Sequence, residues 1–265
     1  MTEQEYRTHP AISRSQLWLM HESPEKFRYA MDNPDEPTPA LLFGQMVHMM
    51  VLQTWDEWHQ AYAVAPKADK RTKEGKEIWA SFQAECADRT AVSFDDFQTA
   101  KDMTDAVYNN EFASKLLAGS HEVPFFWTDE MTGIECKCRC DCLTYIGDQL
   151  YIVDYKSSAD ASVEQFQRDA FRYGYALQAA MYSEGVKANM DGVPKFVFIV
   201  QEKKAPYSVN IFETDDAVIT YGHDQFRQYI GMYKDCMTSG NWYGYLGREN
   251  VINTLMLPAY LSAKE

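Results

Sequence analysis

Ile134-Glu135-Cys136-Lys137-Cys138-Arg139-Cys140-Asp141-Cys142-Leu143, followed by Leu150-Tyr151-Ile152-Val153-Asp154-Tyr155-Lys156, decides the reading of this chain. Each stretch has the length and composition of a β-strand, and Gly147-Asp148 supplies a turn between them, so they read as antiparallel neighbours. Asp154-Tyr155-Lys156 lies thirteen residues after Asp141. Acids in the middle of apolar strands are costly unless they are paired or bind a metal. Two carboxylates and a lysine converging on one face suit a hard divalent cation, which prefers carboxylate oxygens. The lysine can orient or activate a water beside a phosphodiester. The pattern points to metal-assisted phosphodiester hydrolysis.

Period-two alternation places Glu135, Lys137, Arg139 and Asp141 on one face of the first strand and Cys136, Cys138, Cys140 and Cys142 on the other. The four thiols do not make one metal site. Same-face neighbours stand about 6.8 Å apart, so the outer pair is separated by roughly 20 Å, too far for one tetrahedral ion. A thiol-lined core face is the expectation. A solvated, ion-paired face would account for an isolated charged strand. The next strand, however, adds Asp154 and Lys156 among apolar neighbours, and function outweighs that reading for Asp141, Asp154 and Lys156. Glu135 and Arg139 suit either role.

The 265 residues fit one domain, taken as residues 1–265, with a helical N-terminal part (1–115) and a core (120–240). With 46% apolar and 14% aromatic residues the chain can bury a sizeable core. It has no run of about 18 uninterrupted apolar residues, so no membrane association is expected. The start, Met1-Thr2-Glu3-Gln4-Glu5-Tyr6-Arg7, does not resemble a secretory signal, so a cytoplasmic protein with reduced cysteines is expected. The net charge of -14 argues against a general nucleic-acid coat. It leaves room for a concave basic lining inside an acidic exterior.

Around the two strands, Ser13 reads as an N-cap for residues 14–20, and Ser23-Pro24-Glu25 as a stronger helix start. Residues 33–39 read as a proline-rich loop. An all-round apolar helix spans 40–53, a loop 66–76, and helices 73–87 and 94–109. A strand starts at Glu122 and makes a three-stranded meander with the opening pair. Helices at 163–172 and 175–188, a central strand at 195–200, a strand at 207–213 and a helix at 215–238 complete an α/β or α+β arrangement around one mixed sheet.

His48 sits in the apolar helix one turn after Gly44. A lone histidine there is more often a core residue than a ligand, although the glycine clears room for a close approach. Gln178 and Tyr182 lie one turn apart, a common spacing. Gln167, Arg168, Arg172 and Tyr173 are basic and aromatic groups suited to a phosphate backbone and stacked bases.

Together these residues resemble the PD-(D/E)XK nuclease superfamily, in the branch with Gly-x-x-x-His, Asp, (Asp/Glu)-x-Lys and Gln-x-x-x-Tyr motifs. The matches are Gly44/His48, Asp141, Asp154/Lys156 and Gln178/Tyr182, in that order. Within it, the stretch from about Tyr6 to Leu257 looks like the RecE-type exonucleases (the exonuclease VIII C-terminal nuclease domain). The likeness includes Ile12-Ser13-Arg14-Ser15-Gln16-Leu17, Asp154-Tyr155-Lys156-Ser157-Ser158-Ala159-Asp160 and Phe196-Val197-Phe198-Ile199-Val200. One departure is Cys140, where many relatives have proline before the first catalytic acid.

The resemblance implies an α/β restriction-endonuclease-like core, with a mixed five-stranded sheet flanked by helices and an N-terminal helical extension. It implies a Mg2+-dependent enzyme (Mn2+ substituting) of bacterial or phage origin that degrades one strand of double-stranded DNA from the 5′ end and leaves 3′ overhangs. His48, Asp141, Asp154, the Tyr155 backbone carbonyl and Glu122 would hold metal, and Lys156 would position or deprotonate the water. Gln178 and Tyr182 would hold the substrate strand, and Ser13, Arg14 and Ser15 would meet a terminal 5′ phosphate. Arg139, Arg168 and Arg172 complete the expected DNA contacts. A homo-oligomeric ring around DNA and a RecT-like single-strand-annealing partner are also implied. No iron–sulfur cluster is expected, since only Cys236 lies late in the chain. The rival readings are a related endonuclease or single-strand nuclease, a non-catalytic DNA-binding protein of the same fold and, more remotely, a metal-storing or redox protein.

Overall fold

The computed structural model describes residues 1, 3–86, 88–249 and 251–257. Its elements run α1 (Glu3–Thr8), β1 (Ile12–Ser13), α2 (Arg14–Trp18), α3 (Pro24–Asp32), α4 (Pro39–Leu52), α5 (Trp55–Ala61), β2 (Tyr62–Val64), α6 (Lys73–Cys86), β3 (Thr90–Val92), α7 (Phe94–Asn109) and α8 (Glu111–Leu116). They continue with β4 (Ser120–Thr128), β5 (Glu135–Ile146), β6 (Gln149–Ser158), α9 (Val163–Arg172), α10 (Tyr175–Lys187), β7 (Lys195–Glu202), β8 (Val209–Glu213) and α11 (Asp216–Ser239). The helix expected over 73–87 ends at Cys86, and Ala87 lies outside the described residues. No described helix is long and apolar enough to cross a membrane.

Local chemistry sets many of these boundaries. Ser13, Ser23, Thr38, Thr54, Ser93, Ser162 and Asp215 each accept a backbone N–H of the first turn that follows, a cap worth about 1 kcal/mol. Thr38-Pro39 repeats the Ser23-Pro24 signature, so α4 begins at a proline that the sequence reading left in the loop.

The main sheet has six strands rather than five, because the two-residue β1 joins it. The meander β4–β5–β6 is antiparallel, β7 is parallel to β6, and β8 is antiparallel to β7. A second, two-stranded parallel sheet of β2 and β3 was not foreseen. One face of the main sheet (Val153, Tyr155, Val197, Ile199) packs with Met46 and Met50 of α4 and Met103 of α7. On the other, Ile152, Phe196, Phe198 and Val200 pack against Phe166 of α9 and Ala179 and Val186 of α10. Both faces are covered, which is why β7 is an unbroken apolar run. A third cluster joins α2, α3, α10 and α11 through Leu17, Phe27, Leu177 and Phe226.

Two departures from regular pairing create the site. Pairing of β5 with β6 covers Cys142–Ile146 against Gln149–Val153 and stops there, while β6 stays paired to β7 through Ser158. Beyond Asp141 and Asp154 the strands therefore fork, and β1 takes the vacated edge of β5 through Ile12↔Cys136 and Ser13↔Lys137. Glu122, moreover, has a φ of 53°, a left-handed conformation rare for a residue with a Cβ. On either side of it the strands change face. Val123 and Phe125 pack with Cys138 and Cys140 under α10, whereas Cys142 packs under α4 and α7. His121, paired opposite Cys142, turns its ring nitrogens to the Leu52 and Leu117 carbonyls at 2.5 and 2.7 Å. The expectation of four cysteines on one face is thus corrected, because alternation slips at Glu122 and Asp141.

The β4–β5 turn is organised by Asp129, which is 2% exposed. Its carboxylate accepts from Thr132 N (2.9 Å), Thr132 Oγ1 (2.6 Å) and Arg227 of α11 (2.5 Å). Burial pushes this carboxyl upward, but Thr132 and Arg227 outweigh it and hold it below its ordinary range. Asp129→Asn is expected to cost roughly 2 kcal/mol at pH 7, less than the loss of a fully buried pair because Arg227 is 31% exposed. Since the native pKa is depressed, this contribution is complete above the unfolded carboxylate range and lost as pH falls through the native pKa. Urea midpoints of wild type and variant should therefore converge in acid; a gap that stays constant with pH would refute the assignment.

Candidate active site

The fork opens into a cavity of about 510 Å³ whose lining includes His48, Asp141, Asp154, Lys156, Gln178 and Tyr182. Glu122, Asp141 and Asp154 are the residues next to the paired positions His121↔Cys142 and Cys142↔Val153, on β4, β5 and β6 respectively. His48 reaches them from α4, with Nε2 3.0 Å from Asp141 Oδ2 and Nδ1 3.6 Å from Glu122 Oε1. The fork frees the Tyr155 N–H from strand pairing, and it donates to Asp141 Oδ2 at 2.8 Å. Asp154, 2% exposed, is held by Lys156 and by a hydrogen bond from Gln178 of α10.

Confining these charges perturbs them strongly. Burial, with Asp141 adding to it, lifts Asp154 to about 6 despite Lys156. Burial also lifts Glu122 to about 7. Burial alone would raise Asp141, but His48, Lys156 and the Tyr155 N–H hold it below the usual carboxylate range. Burial works against charge on His48, yet Asp141, Glu122 and Asp154 bring the imidazole up to about 9. Lys156 is drawn down by burial and held above its ordinary value by Asp154 and Asp141. A site crowded with acids that its own histidine and lysine must balance is one suited to receive a cation.

One ligand atom each from His48, Glu122 and Asp141 lies within 4.8 Å of the others. Glu122 Oε1 is buried and accepts no hydrogen bond, so it has a lone pair to offer. One nitrogen and two carboxylate oxygens fit a divalent ion, and His48 must give up a proton to ligate it. Asp154 stands outside this trio, engaged by Lys156 and Gln178.

The other expected residues divide. Ser13, Arg14, Ser15 and Arg139 line the cavity. Arg14 donates to the Tyr173 carbonyl, and its buried Nε has no partner. Arg139 pairs with Glu122 Oε2 at 2.6 Å and with Glu3. Arg168 pairs with Glu164 on its own helix and Arg172 lies over the Tyr173 ring, and neither lines the cavity. An added Cβ at Gly44 would meet Ser157 Oγ at 3.6 Å, ordinary contact, so the close approach expected at this glycine is not found within the chain. Sequence reasoning missed α1. Its Glu3, Tyr6 and Arg7 line the cavity, and the buried Lys137 holds its end through the carbonyls of Tyr6 (2.7 Å), Arg7 (3.3 Å) and His9 (2.7 Å). Contacts spanning 128 to 131 residues leave no local signal.

The lining carries five basic side chains (Arg7, Arg14, Lys137, Arg139, Lys156) against three carboxylates (Glu3, Asp141, Asp154), in a chain whose net charge is -14. The cavity is thus locally cationic, as a phosphate site requires.

Residues 13–254 match a family described as a PDDEXK-like domain of unknown function (DUF3799). No curated protein matches the sequence. A crystal structure from Eubacterium rectale, described as a "Putative exonuclease", aligns over 100% of this chain and 99% of its own with a TM-score of 0.62 at 15% identity, a likeness of fold. The crystal structure of SSO0001 aligns over 85% of this chain and 81% of its own at 10% identity; its TM-score of 0.37 carries no argument.

Proposed function

The chain belongs to the PDDEXK-like DUF3799 family, and from that premise we propose that it is a divalent-metal-dependent nuclease acting on double-stranded DNA ends, of the RecE exonuclease type. The observation that carries this reading is the convergence of His48, Glu122, Asp141, Asp154 and Lys156 at the fork between β5 and β6, inside a cationic cavity.

The residues then divide the work. His48, Glu122 and Asp141 would hold Mg2+ or Mn2+, with Asp154 and the Tyr155 carbonyl as the further ligands the family resemblance implies, and the ion would supply charge neutralisation at the scissile phosphate and activation of water. Gln178 fixes the Asp154 carboxylate, which in turn holds the Lys156 ammonium. Lys156 orients the attacking water and offers positive charge to the phosphate. Arg14, with its unpartnered Nε, and the hydroxyls of Ser13 and Ser15 receive the terminal phosphate of the 5′-ended strand, while Tyr182 flanks that strand. The product is a 3′ overhang suited to a single-strand-annealing partner, and a homo-oligomeric ring would keep the duplex engaged.

Digestion of linear and covalently closed circular duplexes, with Mg2+ and with EDTA, tests the reading. Linear duplex should be degraded only with metal, 5′ end-label should be released first, and the closed circle should survive. Cleavage of the circle would replace the proposal with the related endonuclease; no metal-dependent cleavage of either would leave a DNA-binding protein of nuclease fold.

A further inference from the structure

Arg139 is among the expected DNA contacts, yet its guanidinium is already taken up by protein carboxylates. Nε lies 2.6 Å from Glu122 Oε2, and a terminal nitrogen pairs with Glu3 of α1. The Tyr6 ring covers it, 5.1 Å from the guanidinium carbon to the ring centroid, and the side chain is 22% exposed. A guanidinium engaged by two carboxylates has little charge left to offer a phosphate, but it fixes those carboxylates well. Nothing in the proposed chemistry uses it.

Glu122 needs such a hold. Its left-handed backbone, with a φ of 53°, persists only where the surroundings enforce it. Glu122 also borders a second cavity, of about 260 Å³, lined by Gln53, Glu57 and His121 among others, into which its carboxylate can turn away from the nuclease site. Arg139 lines both cavities. Its bond to Oε2 keeps Oε1 on the side of the metal trio, 3.6 Å from His48 Nδ1 and without a hydrogen-bond partner among the described residues.

We infer that Arg139 is a positioning residue, which clamps Glu122 so that one carboxylate oxygen is presented to the metal, and that α1 completes the clamp by holding Arg139 from the other side. The inference rests on the metal-dependent reading of the site. α1 buries no residue of its own, so it adds little to the core. Its contacts go instead to β5. Lys137, 3% exposed, ties down the Tyr6, Arg7 and His9 carbonyls, and Glu3 and Tyr6 then close on Arg139. Groups that orient a metal ligand from behind typically decide about 10- to 100-fold in metal affinity.

Calorimetric titration of Mn2+ into the full chain, without DNA, tests it. The sign of the effect is diagnostic. Removing a cation beside a metal site strengthens metal binding through space, whereas Arg139→Gln is expected to weaken it by about 10- to 100-fold. Arg139→Lys keeps the charge but lacks the fork that spans two carboxylates, so it should recover only part of the loss. Tyr6→Ala, which changes no charge on a helix that buries no residue, should weaken binding about threefold, and it reports on the clamp should the Arg139 variants fail to fold. In a Glu122→Gln background, Arg139→Gln should cost nothing further, because no ligand is left to position. Arg139→Gln binding Mn2+ as tightly as wild type or more tightly, Arg139→Lys or Tyr6→Ala matching wild type, or an undiminished loss in the Glu122→Gln background would overturn the inference while the metal site stands. A wild type that takes up no Mn2+ would overturn the metal reading, and this inference with it.

Discussion

Lys156→Met is expected to lower the cleavage rate at least about a thousandfold, a loss of roughly 4 kcal/mol of transition-state stabilisation, while the protein still folds. Lys156 pairs with Asp154, lies 5.0 Å from the Tyr175 ring centroid, and keeps its proton because Asp154 and Asp141 outweigh its burial. It therefore meets the substrate as a cation fixed in a low-dielectric cleft, where one charge is worth far more than in water. Methionine keeps most of the stem's packing and removes only the charge. Folding survives because Asp154, stranded without its cation, can take up a proton. With its pKa already at about 6, protonation at pH 7 costs about 1.4 kcal/mol. Single-turnover cleavage under saturating metal, read beside a urea melt, separates the two effects. A variant that retains a tenth of the wild-type rate, or that does not fold, would exclude this role.

Much of the fold could be read from local patterns because those patterns are local in cause. The Ser23-Pro24 helix start, the turn at Gly147 and the doubly buried β7 each leave a signature within a few residues; Thr38-Pro39 carried the same signature as Ser23-Pro24, but among the prolines of residues 33–39 it read as loop. The Asp141 and Asp154/Lys156 pair was legible for a related reason, since the fork that creates the site acts on adjacent strands. What escaped came from long-range or backbone causes. The left-handed Glu122 moves Cys142 to the opposite face from Cys140, and no side-chain alternation announces a residue that breaks alternation. Gln178 read as a substrate contact by motif order, yet its amide lies against the buried Asp154 carboxylate. The α1 contribution depends on Lys137, which donates to the Tyr6 and His9 carbonyls, and on Arg139, which pairs with Glu3 and which by sequence suited a solvated face as well as a functional one. Arg168 and Arg172 show the converse. Basic residues near a site in sequence need not point into it.

Asp141→Asn is expected to abolish both cleavage and the thermal stabilisation that Mg2+ or Mn2+ confers. Asp141 Oδ2 is the meeting point of the site, 3.0 Å from His48 Nε2 and 2.8 Å from the Tyr155 N–H it accepts. An asparagine carbonyl can still accept from Tyr155, so the fork should persist, but it brings no negative charge to a cation or to His48. The wild-type trio of His48, Glu122 and Asp141 should bind metal only in the folded state, so a concentration a hundred times the dissociation constant adds about 2.7 kcal/mol to stability. In the variant the remaining nitrogen and single carboxylate make a poor site, and that increment should vanish at the same concentration. This readout does not depend on turnover, so it distinguishes loss of the metal from misplacement of substrate, which would abolish cleavage yet leave the metal-induced shift intact. A variant whose melting temperature still rises with Mg2+ as the wild type's does would remove Asp141 from the ligand set and return the metal to Asp154.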